Sequence, residues 1–261
     1  MEHQDYYDET LKKFENILIL STELSQEIAG RFVETRKGWA SIIFTRMCTT
    51  AVSVGILAPE SNLAEKLEHW DCVSLCSLAR NLMECYHTFF YFCIDSINEE
   101  EWKLRYQIFC LHDRKSRFDM LNYFGDNQEE QYNKVYKEVV EQLENNTLFV
   151  QLDEKTKKRY LKGDNAFLIS REEIEEKIGE DRTEFKGWYK FLSNQTHSFP
   201  MSFSRMSEQN KGKGLKSDIE VGYSATALEI SLKYLILACK DIIEIFPDTK
   251  PKFEERLKGE I

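Results

Sequence analysis

"CVSLCSLARNLMECYHTFFYFCI", Cys72 to Ile94, is long and greasy enough to pass for a membrane span, and its reading decides the fold. Three ionisable side chains interrupt it: Arg80, Glu84 and His87. A central arginine alone costs about 2.5–3.5 kcal/mol on insertion scales, and the glutamate and histidine add to that. The segment therefore reads as a helix buried on most sides within a soluble bundle. At about 100° per residue, positions 80, 84, 87 and 91 fall on one stripe. Arg80, Glu84, His87 and Tyr91 then share a face, while Leu75, Leu78, Leu82 and Phe89 take the other. Arg80 and Glu84 can pair as i, i+4 neighbours. Two accounts fit: an internal salt bridge that fixes helix register, or a polar stripe that lines a pocket.

Outward from this helix the pattern stays helical. Only 4 Pro and 11 Gly in 261 residues leave few forced turns, and 42% hydrophobic with 13% aromatic residues supports a folded core. Leu11, Phe14, Leu18, Ser21, Leu24, Ile28 and Phe32 predict a helix over 6–36. Ile42, Ile43, Met47, Val54 and Leu57 predict a second over 39–58, ended by Pro59. Asn62 and Glu65 supply a cap for the Arg80 helix, read as running to Ile94. Ser96 with Glu99 forms a capping-box pattern ahead of a fourth helix, which Gly125 stops. A helix over 183–196 ends before Pro200, "SEQNKGKGLKS" is a flexible loop, and Ser217 with Glu220 opens a last helix to Phe246.

From 126 to 182 charges dominate, and Tyr132, Val135, Val139 and Leu143 leave only a narrow apolar stripe. "DEKTKKRYLKG" is a short helix with lysines toward its end, and Ser170 with Glu173 caps another in "SREEIEEKIG", whose carboxylates read as a solvated face. The fold class is all-α. Residues 1–125 and 183–261 are expected to form a long-helix bundle, and 126–182 a peripheral charged helical insertion, either a solvated appendage or a surface that docks a protein partner.

A formal charge of −10 argues against a broad non-specific nucleic-acid coat but leaves room for a small basic groove. Seven cysteines, an odd number mostly in apolar helical pattern, read as reduced thiols of a cytoplasmic protein. Cys72 and Cys76 are i, i+4 with no histidines to complete a zinc pattern, so no metal is expected. No Gly-rich phosphate loop, GxSxG elbow, HExxH or EF-hand pattern occurs, and no cofactor or membrane partner is expected.

Two further segments carry candidate groups. "RYQIFCLHDRKSR" places Arg105 and His112 on one face of an aromatic helix, with Arg114 and Arg117 nearby; Asp113 and Arg117 can pair on the surface. In "LSNQTHSFP", His197 closes a helix, where it can cap the last carbonyls or swing over the Arg80 stripe.

The segments "WDCVSLCSLARNLMECYHTFFYF", "EEEWKLRYQIFCLHDRKSRFDML" and "YKFLSNQTHSFPMSF" resemble a family of bacterial helical proteins of unknown function. That family has an Arg-x-x-x-Glu helix, an Arg-bearing helix after an acidic start and a late Ser-x-x-x-His. Arg80, Glu84, Arg105 and His197 match it; the charged stretch 126–182 lies outside the resemblance. Arg80-Asn81 followed by His87 also resembles the Arg-x(4–6)-His motif of HEPN ribonucleases, helical bundles in which two copies of the motif face each other across a homodimer.

Two functions follow as expectations. In the first, the chain is a metal-independent endoribonuclease. The 2′-OH of RNA is the nucleophile, His87 or His197 the acid or base, and Arg80 the stabiliser of phosphoryl charge. Glu84 orients Arg80, and Arg105, His112, Arg114 and Tyr91 contact substrate. In the second, the same stripe binds an anionic small ligand or a partner's carboxylate without chemistry. Either suits a regulatory, toxin-type or phage-defence role by analogy of fold.

Overall fold

The computed structural model describes residues 2–62, 69–126, 129–208 and 215–260. These form helices with no strand among them. The helices are α1 Glu2–Ile28, α2 Thr35–Leu57, α3 Cys72–Phe89, α4 Glu99–Tyr123, α5 Glu129–Glu144 and α6 Thr147–Gln151. They continue as α7 Glu154–Leu161, α8 Arg171–Ile178, α9 Arg182–Thr196, α10 Pro200–Glu208, α11 Asp218–Ile245 and α12 Lys250–Lys258. A π-helical turn, Phe90–Ile94, follows α3.

Two compact units divide the chain: residues 1–94 with 175–261, and residues 95–174. The boundary therefore precedes α4 and does not follow it at 125, as the change in composition implies. The reason is packing: α4 lies against α5 and α6, and Leu104, Ile108 and Leu111 share a core with Val139, Leu143, Phe149 and Tyr160. The narrow stripe on α5 is thus the inward face of a separate small core.

In the first unit α3 is central, packing against α2, α9 and α11, while α11 also packs against α1. Leu75, Cys76, Ala79, Leu82, Met83, Tyr86 and Phe89 of α3 are buried, which accounts for its greasy composition. Among the described residues one helix, α2, is long and apolar enough to cross a membrane by length and composition, but it packs against α1, α3 and α11 as a core helix does.

Several ends differ from the sequence expectations. α1 stops at Ile28, where Gly30 takes a left-handed φ of 71°, and Phe32 is fully exposed instead of joining the stripe. α3 starts at Cys72, capped by the Asp71 carboxylate, which accepts from Ser74 N–H at 3.0 Å. Glu65 of the expected cap lies outside the described residues, and the Asn62 amide donates to Glu15. α4 is capped by Asn98, not Ser96: its side chain accepts from Glu101 N–H at 2.8 Å. Pro200 opens α10 instead of only ending the previous helix, since proline is tolerated in a first turn. The Ser170–Glu173 capping box forms as expected, the carboxylate accepting from Ser170 N–H at 2.7 Å and the hydroxyl from Glu173 N–H at 3.2 Å. The cysteines are free thiols, and burial pushes Cys48, Cys72 and Cys93 up to about 12, which favours the protonated thiol.

Candidate functional site

The Arg80–Glu84 pair forms on α3 and is completed by α9. Arg80 Nε donates to Glu84 Oε1 at 3.1 Å, its Nη2 to the Tyr189 hydroxyl at 2.8 Å, and its Nη1 meets His197 Nε2 at 2.9 Å. Tyr189 O–H donates to the same Glu84 oxygen at 3.1 Å, and its ring lies under the guanidinium, 4.8 Å from Cζ. Arg80 keeps 16% of its side chain exposed and Glu84 28%; His197 is exposed. A guanidinium only donates, so His197 accepts through an unprotonated Nε2 and carries its proton on Nδ1.

Local sequence explains how α9 supplies these groups. Asp181 caps its start, accepting from Glu184 N–H at 2.7 Å. Tyr189 lies about two turns before the helix end, on the face that meets α3. The helix is then closed by a left-handed residue that is not glycine: Ser198 has φ 52°. Its N–H donates to Gln195 O and that of Phe199 to Asn194 O, both at 3.1 Å. The sharp exit places His197 over Arg80, so its ring is not spent on the terminal carbonyls. Phe199, half exposed, sits beside it with ring centroids 5.7 Å apart.

His87 goes elsewhere. It is 1% exposed, with Nε2 in a short contact to Glu175 Oε1, and Glu175 is fully buried. Tyr234 O–H donates to that same oxygen at 2.7 Å, and the imidazole is walled by the Phe185 and Tyr234 rings. Among the described residues, His87 Nδ1 and Glu175 Oε2 are buried with no hydrogen-bond partner. Next to them Tyr86 O–H donates to Asp241 at 2.7 Å. Burial pushes Asp241 up to about 6, while burial and nearby carboxylates raise both Tyr86 and Tyr234 above the ordinary tyrosine range. The Arg80 to His87 spacing behind the HEPN resemblance thus does not bring those two side chains together. Tyr91 falls in the π-helical turn after α3 and is buried, its ring against that of Phe92.

The remaining candidates lie in the 95–174 unit. Arg105 is 1% exposed, with Nη2 on Asp95 at 2.8 Å and Glu101 at 2.6 Å, so it is a buried ion pair and not an open phosphate contact. His112 Nδ1 meets Gly163 O at 2.9 Å, tying α4 to the end of α7. Arg114 is exposed at the rim of a cleft, and Arg117 pairs with Asp113 as the spacing implies.

Tyr189, Glu175 and Tyr234 were not singled out by sequence. Glu175 was hidden in a run of glutamates: Glu173 and Glu176 are exposed, but Glu175 follows Ile174 onto the inward face of α8. The face of that run is therefore not wholly solvated. Among the described residues no group of three or more His, Cys, Asp or Glu side chains gathers as metal ligands would.

No curated protein and no solved structure matches the chain. A family model does, over residues 37–213, a span that holds α3, α9 and all four residues of the Arg80 cluster and also runs through 126–182, which the resemblance had left out. The chain belongs to that family, the family of unknown function DUF5677.

Proposed function

We propose that the Arg80–Glu84–Tyr189–His197 cluster is a phosphate-directed site and that the protein is a metal-independent ribonuclease. The observation that carries the reading is the convergence of an arginine and an exposed histidine from α3 and α9, 117 residues apart, at hydrogen-bond distance. RNA brings its own nucleophile, so such a site needs only a proton acceptor and a fixed cation. A phosphodiester seated at the cluster competes with His197 for Arg80 and frees Nε2. The imidazole then takes the 2′-OH proton, the 2′-oxygen bonds to phosphorus, the P–O5′ bond breaks, and the 5′-oxygen takes a proton from solvent. Arg80 faces the charge growing on the phosphoryl oxygens, while Glu84 and Tyr189 hold the guanidinium in place. His197 has the base role; His87 supports α8 and α11 instead. The cluster is complete in one chain, so this reading needs no second copy.

The test is cleavage of end-labelled single-stranded RNA in EDTA by wild type, His197→Ala and Arg80→Ala. Cleavage with a 2′,3′-cyclic phosphate end in wild type alone is expected. Equal cleavage by all three proteins would overturn the assignment.

The other reading is a binding module that grips an anionic ligand. It is favoured by the three in-chain partners of Arg80, which make the cation rigid before anything binds. RNA or nucleotide binding at Arg80 with no cleavage under any condition would select it.

A further inference from the structure

The densest positive run in this acidic chain is on α7, where Lys155, Lys157, Lys158, Arg159 and Lys162 fall within eight residues. Lys157 is bonded to Glu154. Lys158 and Lys162, one turn apart and both exposed, have no carboxylate partner among the described residues and line an open cleft of about 650 Å³. Tyr132, Asn133 and Tyr136 of α5 line the same cleft. Lys115 also lines it but is held by Asp119, and Asp164 is the one lining carboxylate. Tyr132 is itself stacked on Phe118, centroids 4.3 Å apart at 19°, and lies 5.8 Å from Tyr136. A second cleft, about 130 Å³, shares Tyr132 and is lined by Phe118, Arg114, Arg117 and Gln131 as well. Arg114 makes no ion pair among the described residues.

Neighbouring rings, one of them stacked on Phe118, in clefts that also carry cations without an ion-pair partner among the described residues are what a single strand of nucleic acid requires: a stacking surface for any base and positive charge for the backbone. An acidic peptide would use the cations but leave the rings idle, and a greasy partner would use the rings but strand the cations. We propose that the α4–α5–α7 face of the 95–174 unit binds single-stranded RNA, with bases on Tyr132 and Tyr136 and phosphates on Lys158, Lys162 and Arg114. This site is separate from the Arg80 cluster and does not rest on the proposed cleavage.

The experiment is fluorescence anisotropy of a labelled 12-nucleotide 2′-O-methyl oligouridine, which lacks the 2′-OH nucleophile and so survives the proposed cleavage, with the full chain in EDTA, over a range of salt. Tyr132→Ala should weaken binding by about 10-fold or more, and Tyr132→Phe should keep it. Lys158→Gln with Lys162→Gln should weaken it and make the slope of log K against log salt shallower by about 0.7 per lysine. Both lysines are exposed, so this variant should melt as wild type does. Loss of binding in these variants, with the Arg80 cluster intact, separates this surface from the cleavage reading. Binding unchanged by the tyrosine and lysine substitutions would overturn the proposal. So would uridine monophosphate competing as tightly as the oligomer, or a protein partner lost with the same substitutions when no RNA binds.

Discussion

Arg80 and His197 touch across 117 residues of chain at 2.9 Å, the arginine donating and the imidazole accepting. The same guanidinium also reaches Glu84 and Tyr189, so its plane is set by three partners at once. A lysine has the charge but not the fork, and cannot hold those three directions together. Arg80→Lys should therefore retain the fold and lose activity on RNA by roughly 10²–10³-fold, the cost of one preorganised donor. Single-turnover cleavage beside a thermal melt checks this, and a lysine variant with full activity would remove Arg80 from the site.

The His87–Glu175 contact predicts a stability effect. Both groups are buried, so His87→Ala leaves a carboxyl group supported by Tyr234 alone and should cost about 3–5 kcal/mol. Replacing both by leucine removes the stranded group and should recover much of the loss. Urea unfolding of His87→Leu, Glu175→Leu and the double variant gives the coupling; additive losses would show that the two side chains act independently. By contrast His197→Ala, at an exposed position, should change stability by no more than about 0.5 kcal/mol.

Asp241 predicts a pH dependence. Its folded-state value, about 6, lies above the ordinary value of 3.8 because burial penalises the carboxylate more than the Tyr86 hydrogen bond favours it. A raised acid binds its proton more tightly when folded. Its contribution is then fully present below about pH 4 and is lost as pH rises through 6. Asp241→Asn abolishes that titration. The unfolding free energy of wild type should fall relative to the variant by on the order of 2–3 kcal/mol between pH 4 and 7. Parallel curves would show that Asp241 is not buried as described.

Ser198 predicts an effect of backbone shape. A serine at φ 52° carries strain that glycine relieves, offset by the larger entropy glycine loses on folding. Ser198→Gly should leave stability within about 1 kcal/mol and preserve activity. Ser198→Val, branched and poorly suited to a left-handed residue, should lose about 1–3 kcal/mol and misplace His197. Melting temperature and cleavage rate together separate the two effects; a fully active valine variant would mean that the turn does not position the imidazole.

How much of this was visible beforehand differs residue by residue. The Arg80–Glu84 pair was legible because i, i+4 spacing on a helix is a local rule, and the burial of Leu75, Leu82 and Phe89 follows from the same periodicity. Asp71 and Asn98 were missed as caps because several polar residues near each helix start satisfy the same short pattern. Tyr189 was missed for a different reason: nothing in "WYKFLSNQ" shows which aromatic of that run turns toward another helix.

The order of residues along the chain determined by itself that this protein is helical, where its greasy centre lies and that an arginine and a glutamate share one face there. Those properties depend on contacts within a turn or two. Only tertiary structure decided that His197 joins Arg80 while His87, on the same stripe, is sealed against Glu175, and that α4 packs with the charged segment after it. Such choices depend on how helices dock, and docking is set by side-chain shape across distant segments, which spacing along one helix does not encode.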